Sequence, residues 1–267
     1  MNILDEIIRF KFNEVKQRKA LFPINVLEQS SWFQSAGVSL KEYVQRPDKT
    51  GIIAEIKRKS PSKGIINPNV SVVRTSMGYV QAGASALSIL TDSNFFGGSN
   101  EDLIEARRLN TCPILRKDFV VDEYQIIEAK SIGADAILLI AAALEPPRLH
   151  ALAKMARSLQ LEILMEVHNE KELLDNLTAD IDLIGVNNRD LKTFKMDIEI
   201  SKRLSDKIPS GLVKVSESGI EKPETILELK RYGYHGFLMG QNFMQHAQPE
   251  KACLEFVTEL KRLEMKK

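Results

Sequence analysis

Cysteine is scarce in this chain, and the scarcity removes two classes of protein. Cys112 and Cys253 lie far apart with no ligand motif around them, so neither a disulfide framework nor a cysteine metal site is written here. Charge of one sign is also missing. The 37 Lys and Arg residues balance 36 Asp and Glu with no like-charged block, which leaves no footprint for a nucleic acid or a membrane surface. The longest apolar run, residues 137–144, is far short of a membrane span. The first ten residues mix Asp5, Glu6 and Arg9 with apolar positions, an amphipathic helix pattern and not a secretory leader. His150, His168, His235 and His246 hold no ligand spacing and read as surface or loop residues, so no metal is expected. No glycine-rich dinucleotide or phosphate-loop turn is present. The expectation is a cytoplasmic protein, and a monomer is compatible with the sequence.

What is present is a regular alternation. Short apolar runs occupy residues 51–57, 86–91, 113–117, 136–140, 162–166, 183–187, 213–216 and 236–239. Their β-branched and leucine-rich make-up suits strands buried on both faces of a parallel sheet. Amphipathic stretches such as 122–132, 145–159, 169–177, 222–232 and 249–263 separate them. Eight strand–helix units of about 27 residues each fit a TIM (β/α)8 barrel; an open doubly wound sheet is the alternative, but it usually carries a glycine-rich turn. The expected fold class is therefore α/β, as one barrel domain over residues 1–267. Residues 1–50 form an N-terminal helical extension, with a helix over about 2–21, and residues 51–264 form the barrel.

In such barrels the chemistry sits at the C-terminal ends of the strands. Along the first strand Glu55 and Lys57 share one face, while Ile52, Ala54 and Ile56 share the other. The apolar face suits the helices, so the charged face looks into the barrel mouth, where unpaired charge is costly. A structural Glu–Lys pair is the plain reading for one strand alone. The feature recurs, however, with Lys117 ending the third strand, Glu166 the fifth, Asn187 and Arg189 the sixth, and Glu217 and Ser218 the seventh. By the same parity Arg116 points away from the mouth. Ser218-Gly219 after strand seven and Gly240-Gln241 after strand eight stand where this fold usually cradles phosphate with backbone N–H groups. The basic loop Arg58-Lys59-Ser60-Pro61-Ser62-Lys63-Gly64 reads either as a lid over an anionic substrate or as a solvated loop.

These runs are long and ordered enough to carry a resemblance. Glu55-Ile56-Lys57-Arg58-Lys59-Ser60-Pro61-Ser62 is similar to a signature of the indole-3-glycerol-phosphate synthases. So are Leu90-Thr91-Asp92 with Phe96-Gly97-Gly98-Ser99, Leu115-Arg116-Lys117-Asp118-Phe119, Gly185-Val186-Asn187-Asn188-Arg189-Asp190-Leu191, and Ser216-Glu217-Ser218-Gly219-Ile220. The likeness spans nearly the whole chain. It implies a cofactor-free conversion of a small sugar phosphate, 1-(2-carboxyphenylamino)-1-deoxyribulose 5-phosphate, in tryptophan biosynthesis. The ring carbon bearing the carboxylate attacks the sugar ketone, then carbon dioxide and water leave.

By the same resemblance Lys117 and Lys57 are the acids, and Glu166 and Glu55 stabilise the cationic intermediate or accept protons. Asn187 and Arg189 would orient the carboxylates and substrate. Ser60 would support the first loop, and Ser218, Gly219, Gly240 and Gln241 the phosphate. Pro61, Phe96, Phe119, Leu138 and Leu191 would form the anthranilate pocket, although Leu138 and Leu191 fit a plain core nearly as well. Gln241 stands where the family often has Ser, so its backbone N–H is the expected donor. Two rival readings stay open at this point: a Schiff-base sugar-phosphate aldolase using Lys117, and a non-catalytic phosphate-binding barrel.

Overall fold

A computed structural model describes residues 3–190 and 193–266 of the chain. Eight parallel strands close into a barrel: β1 (Ile52–Ile56), β2 (Ala86–Leu90), β3 (Ile114–Lys117), β4 (Ala136–Ile140), β5 (Glu162–Val167), β6 (Leu183–Asn187), β7 (Val213–Glu217) and β8 (Tyr234–Met239). Each pairs with its sequence neighbours, and β8 closes on β1 with Ile53 opposite Leu238. The open-sheet alternative is thereby excluded.

Side-chain parity divides the core in two. Ile53, Leu115, Leu138, Leu164, Leu183 and Val215 fill the barrel interior, while Ile52, Ala54, Ile114, Ile137, Ile163 and Ile184 face the helices. Arg116 lies on that outer face, fully desolvated, and its guanidinium meets Glu128 at 2.5 Å and Asp118 at 3.3 Å.

The helices start where the sequence supplies caps. Ser71, Ser99 and Asn169 accept backbone N–H groups at the heads of Val72–Ala82, Asn100–Leu109 and Glu170–Asn176. Asp122 and Gln125 form a reciprocal capping box at the head of Glu123–Ser131. Proline opens Pro146–Ser158, Pro223–Arg231 and Pro249–Glu264, where the missing N–H has no partner to lose.

The N-terminal fifty residues do more than extend the barrel. Helix α1 (Ile3–Leu21) lies across the mouth, and the buried Lys11 ammonium meets Asp92, just past β2, and Asp118, just past β3, both at 2.9 Å. A second helix, α2 (Leu40–Gln45), stops the opposite end, with Leu40 and Val44 packed into the interior cluster. Glu162 at the start of β5 ties α2 down, accepting from the Ser39 hydroxyl at 2.5 Å and the Lys41 N–H at 2.8 Å. Among the described residues no helix is long and apolar enough to cross a membrane.

Candidate active site

Five strands deliver ionisable or amide groups to one mouth. Lys117 at the end of β3 places its ammonium 2.9 Å from Glu166 Oε2 on β5 and 2.6 Å from Glu217 Oε2 on β7. Asn187 at the end of β6 donates its amide to Glu166 Oε1 at 3.0 Å. On β1 Glu55 is buried, and just beyond the strand Lys57 Nζ sits 2.5 Å from Glu55 Oε1.

Burial and charge act in opposition here. Burial alone would strip the Lys117 proton, but Glu166, Glu217 and Glu55 outweigh it and raise the pKa above the ordinary lysine value. Burial likewise favours a protonated Glu166, yet Lys117, His168 and the Asn187 hydrogen bond bring its pKa down to about 2. Glu217 goes the other way. Burial, only partly offset by Lys117 and reinforced by the charges of Glu166 and Glu55, lifts it to about 7. One lysine therefore lies between an ionised carboxylate and one that exchanges its proton near neutrality.

Two glycines make room for these carboxylates. A Cβ on Gly185 in β6 would collide with Glu217 Oε1, and one on Gly240 would lie 2.5 Å from Glu55 Oε1. A side chain at either point would force the neighbouring carboxylate to shift from its present position.

The cleft above has two unlike halves. Pro61, Phe96, Phe119 and Leu138 line an apolar slot with Leu90 and Ile140, and α1 contributes Ile3, Leu4 and Ile7 as its outer wall. The Phe96 and Phe119 rings stand 5.8 Å apart and tilted by 36°. Leu191 lies outside the described residues. The other half is lined by Ser218, Gly219, Gly240 and Gln241, together with Ile220, Lys222 and Asn242. Ser218 takes a left-handed backbone with φ of 66°, a conformation unfavourable for a non-glycine residue. Asn188 holds it there, its amide donating to the carbonyls of Glu217 at 3.0 Å and Ser218 at 3.1 Å. Arg189 joins the halves, donating to Ser62 Oγ and Gln241 Oε1, each at 3.2 Å. Among the described residues it bonds none of Glu55, Glu166 and Glu217, whereas Asn187 bonds Glu166.

Several features differ from the expectations drawn from sequence. The basic loop folds over the mouth as a small antiparallel ribbon, Lys59–Ser60 against Gly64–Ile65. Ser60 is buried in it with its hydroxyl 3.4 Å from that of Ser62. Arg58 pairs with Asp102, so its charge is not offered to a ligand. His168 is not a surface residue: its side chain is 11% exposed and its Nε2 lies 3.5 Å from Glu166 Oε1. Position gave the available signal, since His168 has the parity of Glu166. Glu217 is visible in the sequence as a strand-end carboxylate without a role attached. Asn188 stands there only within the family-like run 185–191, and Lys222 and the α1 wall carry no sequence signal of their own.

A closed eight-stranded parallel barrel with paired lysines and carboxylates at one mouth defines an acid–base enzyme of the (β/α)8 class. The family model for indole-3-glycerol phosphate synthase matches residues 4–256. The chain is 46% identical to the indole-3-glycerol phosphate synthase of Bacteroides thetaiotaomicron over 96% of its length and 98% of that protein. It is 44% identical to that of Caldanaerobacter subterraneus over 97% of its length and 99% of that protein. A solved chain from the tryptophan synthase complex of Pyrococcus furiosus shares the fold at 14% identity, with a TM-score of 0.60 over 79% of this chain and 98% of that one. The chain belongs to the indole-3-glycerol phosphate synthase family, carboxy-lyases of tryptophan biosynthesis that act on a small phosphorylated substrate.

Proposed function

We propose the following division of labour for ring closure, decarboxylation and dehydration of 1-(2-carboxyphenylamino)-1-deoxy-D-ribulose 5-phosphate. The phosphate lies against Ser218, Gly219, Gly240 and the Gln241 N–H, near the charges of Lys222 and Arg189. The anthranilate ring enters the slot of Pro61, Phe96, Phe119 and Leu138. The ring carbon bearing the carboxylate attacks the ketone, and a lysine ammonium, Lys117 or Lys57, protonates the oxygen that gains charge. The cationic nitrogen intermediate draws in the electrons of the breaking C–C bond as carbon dioxide leaves, and Glu166 and Glu55 stabilise that cation. The second acid protonates the departing hydroxyl, water leaves, and a carboxylate takes the last ring proton. The balance is one substrate to one indole-3-glycerol phosphate, one carbon dioxide and one water. The same reading takes residues 1–267 as one barrel domain working in the cytoplasm.

The observation that carries this division is the Lys117 ammonium held between Glu166 and Glu217 in the apolar slot, with Glu55 and Lys57 lining both that slot and the glycine-lined turn beside it. The test is indole fluorescence from the purified chain incubated with the substrate. Product formation without any added cofactor is expected. A chain that binds the substrate and leaves it unchanged overturns the proposal.

A further inference from the structure

Glu166 is approached from behind by a group that the scheme above does not use. His168 follows β5 with the parity of Glu166, and its ring lies between two carboxylates. Nδ1 is 3.1 Å from Glu172 Oε2, and Nε2 is 3.5 Å from Glu166 Oε1. Glu172, on the helix Glu170–Asn176, is itself fixed. Its Oε2 accepts the His168 backbone N–H at 2.8 Å, and its Oε1 accepts the Asn169 amide at 2.7 Å. The imidazole Nε2 is buried without a hydrogen-bond partner.

A neutral imidazole carries one N–H. Placed between two carboxylates, it would turn a lone pair toward one of them, whereas the imidazolium offers a proton to both. The groups facing it are Glu166 near the end of β5, Glu172 on the next helix, Glu217 from β7 and, beyond Glu166, Lys117 from β3. Although burial disfavours the charged ring, the Glu172 hydrogen bond and the charges of Glu166, Glu172 and Glu217 prevail, so its pKa lies above the ordinary histidine value.

This matters when Lys117 acts as an acid. Once its proton has gone to substrate, Glu166 and Glu217 lose the cation they share. A buried carboxylate without a positive neighbour tends to take up a proton, and a neutral Glu166 can no longer stabilise a cation. We propose that His168, clamped as an imidazolium by Glu172, is a positioning residue that keeps Glu166 ionised while Lys117 is deprotonated. This rests on the roles given above to Lys117 and Glu166.

Two measurements test it. NMR of the protein carrying ring-labelled histidine, with the His168 signal identified by its loss in His168→Asn, reads the charge state without substrate. The signal is expected to remain that of an imidazolium at pH 7 and to titrate at lower pH in Glu172→Gln. A ring that is neutral at pH 7 in the native protein overturns the proposal. In turnover, His168→Asn is expected to lower kcat about tenfold with KM little changed, and Glu172→Gln to lower kcat by less. A kcat that stays within about twofold of the native value in His168→Asn, with only stability or KM altered, means that the pair is structural and the proposal fails. Absence of product from the native enzyme would instead sink the assigned reaction, while NMR would still report the charge state.

Discussion

A lysine that forms a Schiff base must spend time as a free amine, and such residues are found where burial or a second cation lowers their pKa. Lys117 has the opposite surroundings, since its two carboxylate partners and Glu55 outweigh burial. We therefore expect borohydride in the presence of substrate to leave no adduct on Lys117; a stable adduct would restore the aldolase reading. An ammonium so placed is suited to donate a proton where negative charge develops. Replacing Lys117 by Ala, or Glu166 by Gln, should lower kcat by about 10²–10⁴-fold and change KM far less. Near-normal turnover in Lys117→Ala would remove the acid role.

At the scale of elements, α1 is anchored at two places, by Lys11 near the mouth and by Arg18 on the buried Glu128. Lys11 is 1% exposed and meets Asp92, Asp118 and Glu14. Lys11→Met would leave Asp92 and Asp118 as buried carboxylates without that cation, a loss of about 3–5 kcal/mol by analogy with other broken buried pairs. We expect a lower urea midpoint and, because Ile3, Leu4 and Ile7 wall the slot, a raised KM. An unchanged midpoint would show that the helix is held elsewhere.

None of this contact is legible in the chain, since Lys11 reads as one more charge on an amphipathic helix until Asp92 and Asp118 are brought to it. The barrel strands were legible because burial on both faces leaves them as unbroken apolar runs. Parity then sorted Glu55, Lys57 and Lys117 into the mouth and Arg116 out of it. The errors lie where tertiary context decides. β8 starts at Tyr234, two residues before the Gly236 expected from sequence, because a register irregularity lets the strand continue past the glycine. The six-residue α2 is defined by what it plugs, and the clamp on His168 requires a helix partner four residues away.

For the molecule as a whole, the mouth sets two opposed dependences of stability on pH. Asp118 and Glu166 are both held at about 2, so the stability they contribute is complete above their ordinary carboxylate values and is lost as pH falls toward 2. Glu217 is raised from 4.5 to about 7. Across that window the folded barrel keeps a proton that the unfolded chain has released, so stability falls as pH rises and remains lower above it. Glu217→Gln has no such proton to lose. Its thermal midpoint should exceed that of the native chain by more at pH 8 than at pH 5, with each kcal/mol worth about 2–4 °C in a chain of this size. Turnover should fall in the same variant, since the Lys117 ammonium would lose one of its two carboxylate partners. A midpoint difference that is flat from pH 5 to pH 8 would mean that the ionised Glu217 costs the fold nothing, and that the three carboxylates Glu55, Glu166 and Glu217 share the mouth without strain.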